Sequence, residues 1–450
     1  MTIEKIDQTT PYPDGSFGDD AFVAFGKVNN NFDAQQADIE AEQQARAQAD
    51  SALSTRIDGL PTNANLQAEV TARTNADNAL GQRITTEIGA EATARADADN
   101  ALSQAIAEEV IARQNADTAL GARFIGKNVV INGDFRFWQR GTGFNLAGYG
   151  ADRFLNNISG ITCSMTRLAL AVGEIAGFKY ACRMSFNAGS DPAHYATLQH
   201  RVENLGYYSG KTLTFSGYMR ANTAGLKVAF EVALGAGGGT IPGAVPVSGI
   251  GVQTFTLGTA WQRFTATFTV PSLVGASLTD NSSLNFNLWL SAGSSHNSRN
   301  NNLGFQSGIV DFVGLQLEDG GTATIFEYRP DALELALCQR YYEKSYNIDT
   351  LPATVTGVGQ TAFFQYGLPS ANYAGGMTTP FKVTKRSTPS VTLFSPLTGA
   401  SGKIQNAGNA NDVNGSVTDI GQSEFFAQSV GFGPTNTINL RWHWTADAEL

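Results

Sequence analysis

The sequence predicts a mixed fold: an α-helical N-terminal quarter followed by two β-rich modules. Three observations carry this reading. Residues 34–123 hold 24 alanines and almost no aromatic side chain. From residue 128 the apolar pattern changes from helical spacing to alternation. Of the 48 glycines 41 lie after residue 123, as do 23 of the 27 phenylalanines, a composition suited to strands and tight turns.

The helical quarter is repetitive. The pattern Glu-x-x-Ala-Arg-x-x-Ala-Asp-x-Ala-Leu occurs at 42–53, 69–80, 91–102 and 109–120. Alanine is the best helix former, and the repeat has no interior proline. Ala72, Ala76, Leu80, Ile84 and Ile88 form one stripe at helical spacing, and Leu102, Ile106 and Val110 repeat it. A single stripe calls for partner helices, so this is read as the shaft of a bundle. Starts 27, 22 and 18 residues apart are not a strict heptad. Glu69, Arg73 and Asp77 make an i, i+4, i+8 charge ladder, as do Glu91, Arg95 and Asp99. It reads as a solvated face or as a set of bridges between chains. Gly59-Leu60-Pro61 breaks the helix, giving one of about 20–58 and another of about 63–122.

Ahead of the alanine-rich stretch, Asp19 or Asp20 is a good N-cap. Phe22, Phe25, Val28 and Phe32 then line one helical face. They read either as the start of the bundle core or as a docking plug for a larger particle.

Charge is uneven. The chain carries a net −10, and residues 1–124 alone hold 20 acidic and 9 basic residues. Neither part offers the basic face of a nucleic-acid binder. No run of ~18 apolar residues predicts membrane insertion, and Met1-Thr-Ile-Glu-Lys-Ile-Asp lacks the core of a secretory signal. Cys163, Cys182 and Cys338 are too few and too odd in number for a disulfide framework, which places folding in a reducing cytoplasm. Cys338 reads as a buried thiol.

In the middle module, Asn128–Trp138 is strand-like, broken at Asn132-Gly133. Alternation follows at 213–220, 226–234, 261–270, 284–290 and 310–318, without intervening helices. About eight to ten short strands of this kind predict a sandwich or jelly roll. The opening Asn132-Gly133-Asp134-Phe135 with Trp138, the segment Trp261-x-x-Phe-x-x-x-Phe-x-Val, and Val310–Glu318 followed by Phe326-Glu327 together resemble the carbohydrate-binding-module jelly rolls embedded in bacteriophage tail fibres. The resemblance covers about 128–330, within a module of 124–330. It implies a structural calcium between the first and last strands, with Asp134 and Asp311 as the carried-over positions, although two acids do not fill six to eight oxygen ligands. It also implies aromatic sugar platforms. Tyr207-Tyr208 beside Gly206 and Gly210 is the more loop-like pair, whereas Trp261 and Trp289 sit in alternating strands and read as core.

The last module, 331–450, starts with a short helical pattern at Leu333, Leu337 and Tyr341. Strand patterns follow at 361–366, 381–384, 390–394, 424–427 and 438–444. The run from Phe381 through Val-Thr-Leu-Phe-Ser-Pro396 and the ending Trp442–Leu450 resemble the β-rich tip domains of phage tail fibres, which implies contact with a host surface. Tyr366, Tyr373, Trp442, His443 and Trp444 are the aromatic contact candidates there. Alternation puts Trp442 and Trp444 on one face and His443 on the other, so one side is expected to be core. Recognition is expected in loops 370–377 and 405–416.

The resemblance implies a homotrimer, with an N-terminal trimeric coiled coil, a jelly roll and a tip. The hydrophobic pattern alone does not choose the number of strands. The expected role is a receptor-binding tail fibre of the virion, made in the host cytoplasm. Its N-terminal segment, residues 1–20, is virion-proximal and the docking face joins a tail or baseplate protein. The β modules bind a bacterial surface polysaccharide. A purely structural spacer and a polysaccharide depolymerase are the alternatives. No enzyme is expected: the four histidines are scattered, and no Gly-x-Ser-x-Gly elbow or P-loop is present.

Overall fold

The computed structural model describes residues 5, 7, 9, 21–59, 64–121, 126–368, 373–432 and 435–450. The expected 1–20 segment therefore lies almost wholly outside the described residues. The chain divides into two compact units, residues 1–114 and 115–450. No described helix is long and apolar enough to cross a membrane.

The first unit holds helix α1 (Ala21–Asp58) and helix α2 (Ala64–Gly121), close to the expected limits. They do not simply run on as a rod awaiting other chains. They fold back as an antiparallel pair. Arg95 of α2 reaches Asn29 of α1 and lies 4.5 Å over the Phe32 ring, and Arg46 pairs with Asp77 at 3.6 Å. Phe32 and Ile39 meet Ile84 and Ile88 across the pair. The contact leaves a groove of about 1180 Å³, lined mainly by polar and charged side chains such as Glu42, Arg46, Asp50 and Asp77. Farther along the stripe, Leu102, Ile106 and Val110 are exposed.

The second unit opens with a β-sandwich. Its strands are β1 (Gly143–Phe144), β2 (Gly148–Tyr149), β3 (Phe154–Ser159), β4 (Cys163–Ala169), β5 (Tyr180–Phe186) and β6 (Tyr195–Glu203). Then come β7 (Thr212–Ala221), β8 (Lys227–Gly235), β9 (Ile250–Thr256), β10 (Gln262–Thr269), β11 (Ser283–Ala292) and β12 (Gly308–Asp319). One sheet runs β1-β4-β5-β12-β7-β10 and the other β2-β3-β6-β11-β8-β9, with antiparallel pairing throughout. The chain crosses repeatedly between the sheets, as a jelly-roll sandwich does. Alternation drives this: inward residues of both sheets meet in an aromatic core. Phe215 of β7 lies 4.7 Å from Phe230 of β8 and 5.3 Å from Phe286 of β11.

Residues 128–138 are not the expected strand. Asn132 and Phe135 take left-handed backbone angles (φ 61° and 56°) that end any pleat. The segment is instead stitched to β12 by Val129 N–H to Leu317 O (2.9 Å) and Leu315 N–H to Gly133 O (2.9 Å). Only glycine fits at 133, because a Cβ there would stand 2.0 Å from Leu315 O.

A helical turn α3 (Asn297–Asn300) and helix α4 (Asp331–Gln339) precede the last module. Its strands are β13 (Tyr342–Lys344), β14 (Thr361–Leu368), β15 (Tyr373–Pro380), β16 (Ser390–Phe394) and β17 (Lys403–Asn406). They continue with β18 (Asn411–Asn414), β19 (Ser416–Thr418), β20 (Glu424–Phe432) and β21 (Thr435–Asp447). The long β21 is central, pairing with β13, β14, β16 and β17. Residues 381–384 form no strand, because the Glu343 carboxylate takes the Lys382 N–H (3.0 Å) and pairs with Lys385 (2.5 Å). The expected loop at 405–416 is largely the β17–β18 hairpin, and most of 373–377 is strand.

The sandwich and the last module are joined through buried ions. Arg140 meets Asp447 (2.9 Å) and Glu449 (3.3 Å), Arg153 also meets Glu449, and Arg340 holds Glu203 (3.0 Å). Lys344 donates to the carbonyls of Gln139, Ile348 and Thr350 at 2.6–2.7 Å. Arg329 fills an oxygen cage where the first segment meets the run after β12. It donates to Asn128 O, to Val130 O (3.2 Å) and to Glu334 (3.0 Å), and its Nε lies 3.5 Å from Glu327. Removing the cation from such a cage strands two carboxylates. Arg329→Ala is therefore expected to destabilise the β unit by about 3–5 kcal/mol. Lys211→Ala, which breaks the more exposed pair with Asp319 (2.9 Å), should leave the unfolding midpoint nearly unchanged. Urea unfolding of both variants checks the contrast.

Candidate functional site

The sandwich carries a cleft of about 390 Å³ where β6 runs into the turn after it. Asn204 takes a left-handed conformation (φ 66°), turning the chain out of β6 into a one-turn 3-10 helix, Leu205–Tyr208. That turn throws the two tyrosines of the predicted pair to different fates. Tyr207 is 69% exposed, while Tyr208 is buried. Their rings meet edge to face at 5.4 Å, and Lys211 Nζ lies 3.8 Å over the Tyr207 ring. Tyr207 thus stands at the surface with Tyr208 buried against its edge.

A third aromatic comes from the far module. Tyr341, at the end of α4, lines the same cleft. Burial pushes the hydroxyls of Tyr208 and Tyr341 up to about 12, so both stay protonated at physiological pH. The Arg153 guanidinium stacks 3.4 Å from the Tyr341 ring. Arg153 is itself buried in a left-handed conformation (φ 72°), a strained state held by its bonds to Glu449 and to Arg201 O.

The remaining polar lining is Arg201, Glu203, Asn204 and His200. Arg340 holds Glu203 in place through two nitrogens (3.0 and 3.3 Å). Arg201 Nε donates to Gln199 Oε1 (2.9 Å). Burial holds the His200 imidazole well below its ordinary range, hence neutral. Its Nε2 accepts from the Ile131 N–H (3.3 Å), so Nδ1 carries the proton. The cleft thus combines rings, neutral hydroxyls, a fixed carboxylate and guanidinium groups.

The other predicted contact residues fall differently. Trp442, His443 and Trp444 are all buried, so none is a surface contact. Both faces of β21 are covered by side chains packed on them. Trp444 packs edge-on against Phe381 (5.6 Å) and Phe425 (5.4 Å). His443 stacks on Tyr346 at 3.9 Å and bridges Ser345 Oγ and Thr356 O, each at 2.9 Å. Tyr366 is exposed on β14, which pairs only with β21. The Tyr373 side chain lies outside the described residues. Trp289 is buried beneath Tyr195 and His296, as expected, whereas Trp261 sits half-buried under Arg220 (4.5 Å).

In the docking face, Phe25 is exposed, while Val28 and Phe32 are half-buried. Phe32 lies in the α1–α2 contact, as a bundle-core residue would. The Phe22 side chain lies outside the described residues.

The calcium positions do not fit calcium. Both oxygens of Asp311 are taken by Arg183 (2.7 and 2.9 Å) and Arg220 (2.9 Å). Asp134 pairs with Arg136 at 2.9 Å, and its other oxygen is buried without a partner. Two acids facing arginines offer no oxygen cage. No group of three or more candidate metal-binding side chains occurs among the described residues. The first and last parts of the sandwich are instead tied by the guanidinium of Arg329.

No family model and no curated protein match the chain. Among solved structures it is similar to the enzymatically active domain of bacteriophage CBA120 tailspike protein 4. There identity is 11%, coverage is 43% of this chain and 22% of that one, and the TM-score is 0.24. It is also similar to the family 11 carbohydrate-binding module of Clostridium thermocellum in complex with a mixed-linked tetrasaccharide (10% identity, 42% and 99% covered, TM-score 0.24). A third is the CBM22-1 xylan-binding domain from Paenibacillus barcinonensis Xyn10C (11% identity, 40% and 94% covered, TM-score 0.22). The chain spans about a fifth of the tailspike domain's length. The sandwich stands on its own strand order and core.

Burial lifts the Asp134 carboxyl to about 6. A carboxyl raised in the folded state adds stability below its unfolded pKa of about 4, and that contribution is lost as pH rises through about 6. Asp134→Asn cannot ionise. Relative to the parent, its unfolding free energy should rise between pH 4 and pH 7, by at most about 3 kcal/mol. Urea unfolding at both pH values checks this, and a constant difference refutes it.

Proposed function

We propose that the chain is a non-catalytic, self-associating attachment protein of a bacteriophage tail, which binds a bacterial surface glycan through the Tyr207–Tyr341 cleft. The observation that carries this reading is the composition of the cleft. An exposed ring beside fixed donors and acceptors is what a sugar requires. Its C–H face lies on the ring, and its hydroxyls bond to charged groups already locked in position. Glu203 is the one carboxylate in the lining and is engaged by Arg340, whereas glycoside cleavage uses two carboxylates across the bond. That favours binding without cleavage.

A shallow site of this size binds weakly alone. Self-association, read as a trimer, multiplies it into avidity. The helical unit supplies the associating surface, Leu102, Ile106 and Val110, and the aromatic face with Phe25 is the candidate for virion attachment.

The reading is tested by glycan-array binding of the full chain, followed by calorimetry on the best ligand. Tyr207→Ala should weaken binding about tenfold, the scale of one lost ring contact. Tyr366→Ala should leave it unchanged. The reverse pattern moves the site to the last module, and no binding on the array removes the glycan reading. Light scattering should give three times 47.8 kDa. A monomeric mass overturns the self-association.

A further inference from the structure

The sandwich has another pocket, of about 360 Å³, at the opposite end of β6 from the Tyr207 cleft. The chain just before β6 supplies Ser190 and Pro192 to it, and the chain just after β11 supplies Ser294, Asn297, Asn302 and Phe305. β6 is 9 residues long. At about 3.3 Å per residue, roughly 30 Å of strand separates the two ends.

No charged side chain lines this pocket. Its apolar element is the Phe305 ring, 37% exposed. The ring edge sits against Gly189, where a Cβ would stand 2.5 Å from Phe305 Cε1, so only glycine lets it settle there. Backbone bonds fix the walls. Gly293 N–H donates to His194 O (2.8 Å), Ser295 N–H to Pro192 O (3.0 Å) and Ala292 N–H to Gly304 O (3.1 Å). Asn302 is left-handed (φ 56°), and its N–H donates to Asn297 O (3.3 Å). The polar side chains, by contrast, are uncommitted. Ser190, Ser294, Asn297 and Asn302 are exposed or half-buried, and among the described residues none of their side chains bonds to the protein. Two hydroxyls and two amides thus stand open to water around a partly bare ring, on a backbone already held in place.

We propose that this pocket is a second sugar site, which takes one uncharged sugar ring. The C–H face of the sugar lies on Phe305, and its hydroxyls bond to Asn297, Asn302 and Ser294. Amides and hydroxyls both donate and accept, as sugar hydroxyls do, so each can exchange its water for a sugar without leaving a group unmatched. An ionised sugar finds no opposite charge in this lining. A few polar groups around an apolar wall, held rigid before binding, is the composition of a small-ligand site. This inference rests on the glycan-binding reading and adds to it a site that does not use the Tyr207 cleft. Two sites at opposite ends of one strand let a single chain hold a long glycan at two points.

Saturation-transfer NMR on the full chain tests it with the methyl glycosides of glucose, galactose, mannose and N-acetylglucosamine, and with glucuronic acid as the charged counterpart. At least one uncharged glycoside should bind, and more tightly than the acid. Phe305→Ala should weaken that glycoside at least tenfold, the scale of a lost ring contact. Asn297→Ala should weaken it about fivefold, the scale of one hydrogen bond, with the melting temperature unchanged. Tyr207→Ala should leave it as it was. Binding that survives both Phe305→Ala and Asn297→Ala overturns the second site. Binding lost only through Tyr207→Ala returns the sugar to the cleft, so the second site falls while the glycan reading stands. If none of the four glycosides binds, or the acid binds as tightly, the second site is overturned. The glycan array with Tyr207→Ala then decides the cleft by itself.

Discussion

The β unit depends on a set of charges buried between its two modules. Glu449, just beyond the last strand, lies between Arg140 and Arg153 of the sandwich, and Lys344 of the last module donates to Gln139 O. Taking such ions out of water costs several kcal/mol each unless a partner and further hydrogen bonds replace the solvent. The molecule meets this with geometry. Guanidinium groups span two acceptors at once, and their faces lie on tyrosine rings, Arg140 on Tyr342 at 3.7 Å and Arg153 on Tyr341 at 3.4 Å. An arrangement of that kind tolerates one relative placement of the modules, because a small slide leaves buried charges unmatched.

The cleft is a consequence of that placement. Tyr207 belongs to the sandwich, Tyr341 to the start of the last module, and Arg153 braces one against the other. The strained backbone of Arg153 persists because three bonded contacts hold it: Glu449, Arg201 O and the Tyr341 ring. Under the proposed function this rigidity serves recognition: a shallow sugar site has little area to offer, so the entropy lost in ordering its side chains must already be spent in folding.

Much of the fold was legible in the sequence, for identifiable reasons. Alanine content and Gly59-Leu60-Pro61 set the helix limits, and period-two alternation located β7, β8, β10, β11 and β12 nearly to the residue. Alternation reports which residues share a face. It does not report whether the opposite face is covered, which is why Trp442 and His443 were both open as contacts until β21 proved central. It is also blind to a left-handed Asn132 or Phe135, and to a carboxylate such as Glu343 that takes a backbone N–H from a strand. Of the cleft, only Tyr207 and Tyr208 were visible, through their neighbouring glycines. Nothing local links residues 201–208 to Tyr341. That contact is made by the ion pairs of the joint, whose partners are far apart in sequence.

The helical unit shows the opposite regime. Its contact carries exposed charges such as the Arg46–Asp77 pair rather than buried ones, so no buried ion among the described residues fixes register, and the α1–α2 pair leaves a wide groove. Folding back satisfies Phe32, Ile39, Ile84 and Ile88 within one chain. It leaves Leu102, Ile106 and Val110 exposed. Each of these exposed side chains retains about 1 kcal/mol of unrealised burial, a modest quantity within one molecule. Summed over several copies at one seam it becomes enough to hold chains together. The weakly specified helical unit and the tightly specified β unit thus divide the work. Under the proposed function, one gathers copies with little demand on register, and the other presents a cleft whose geometry is set within a single chain.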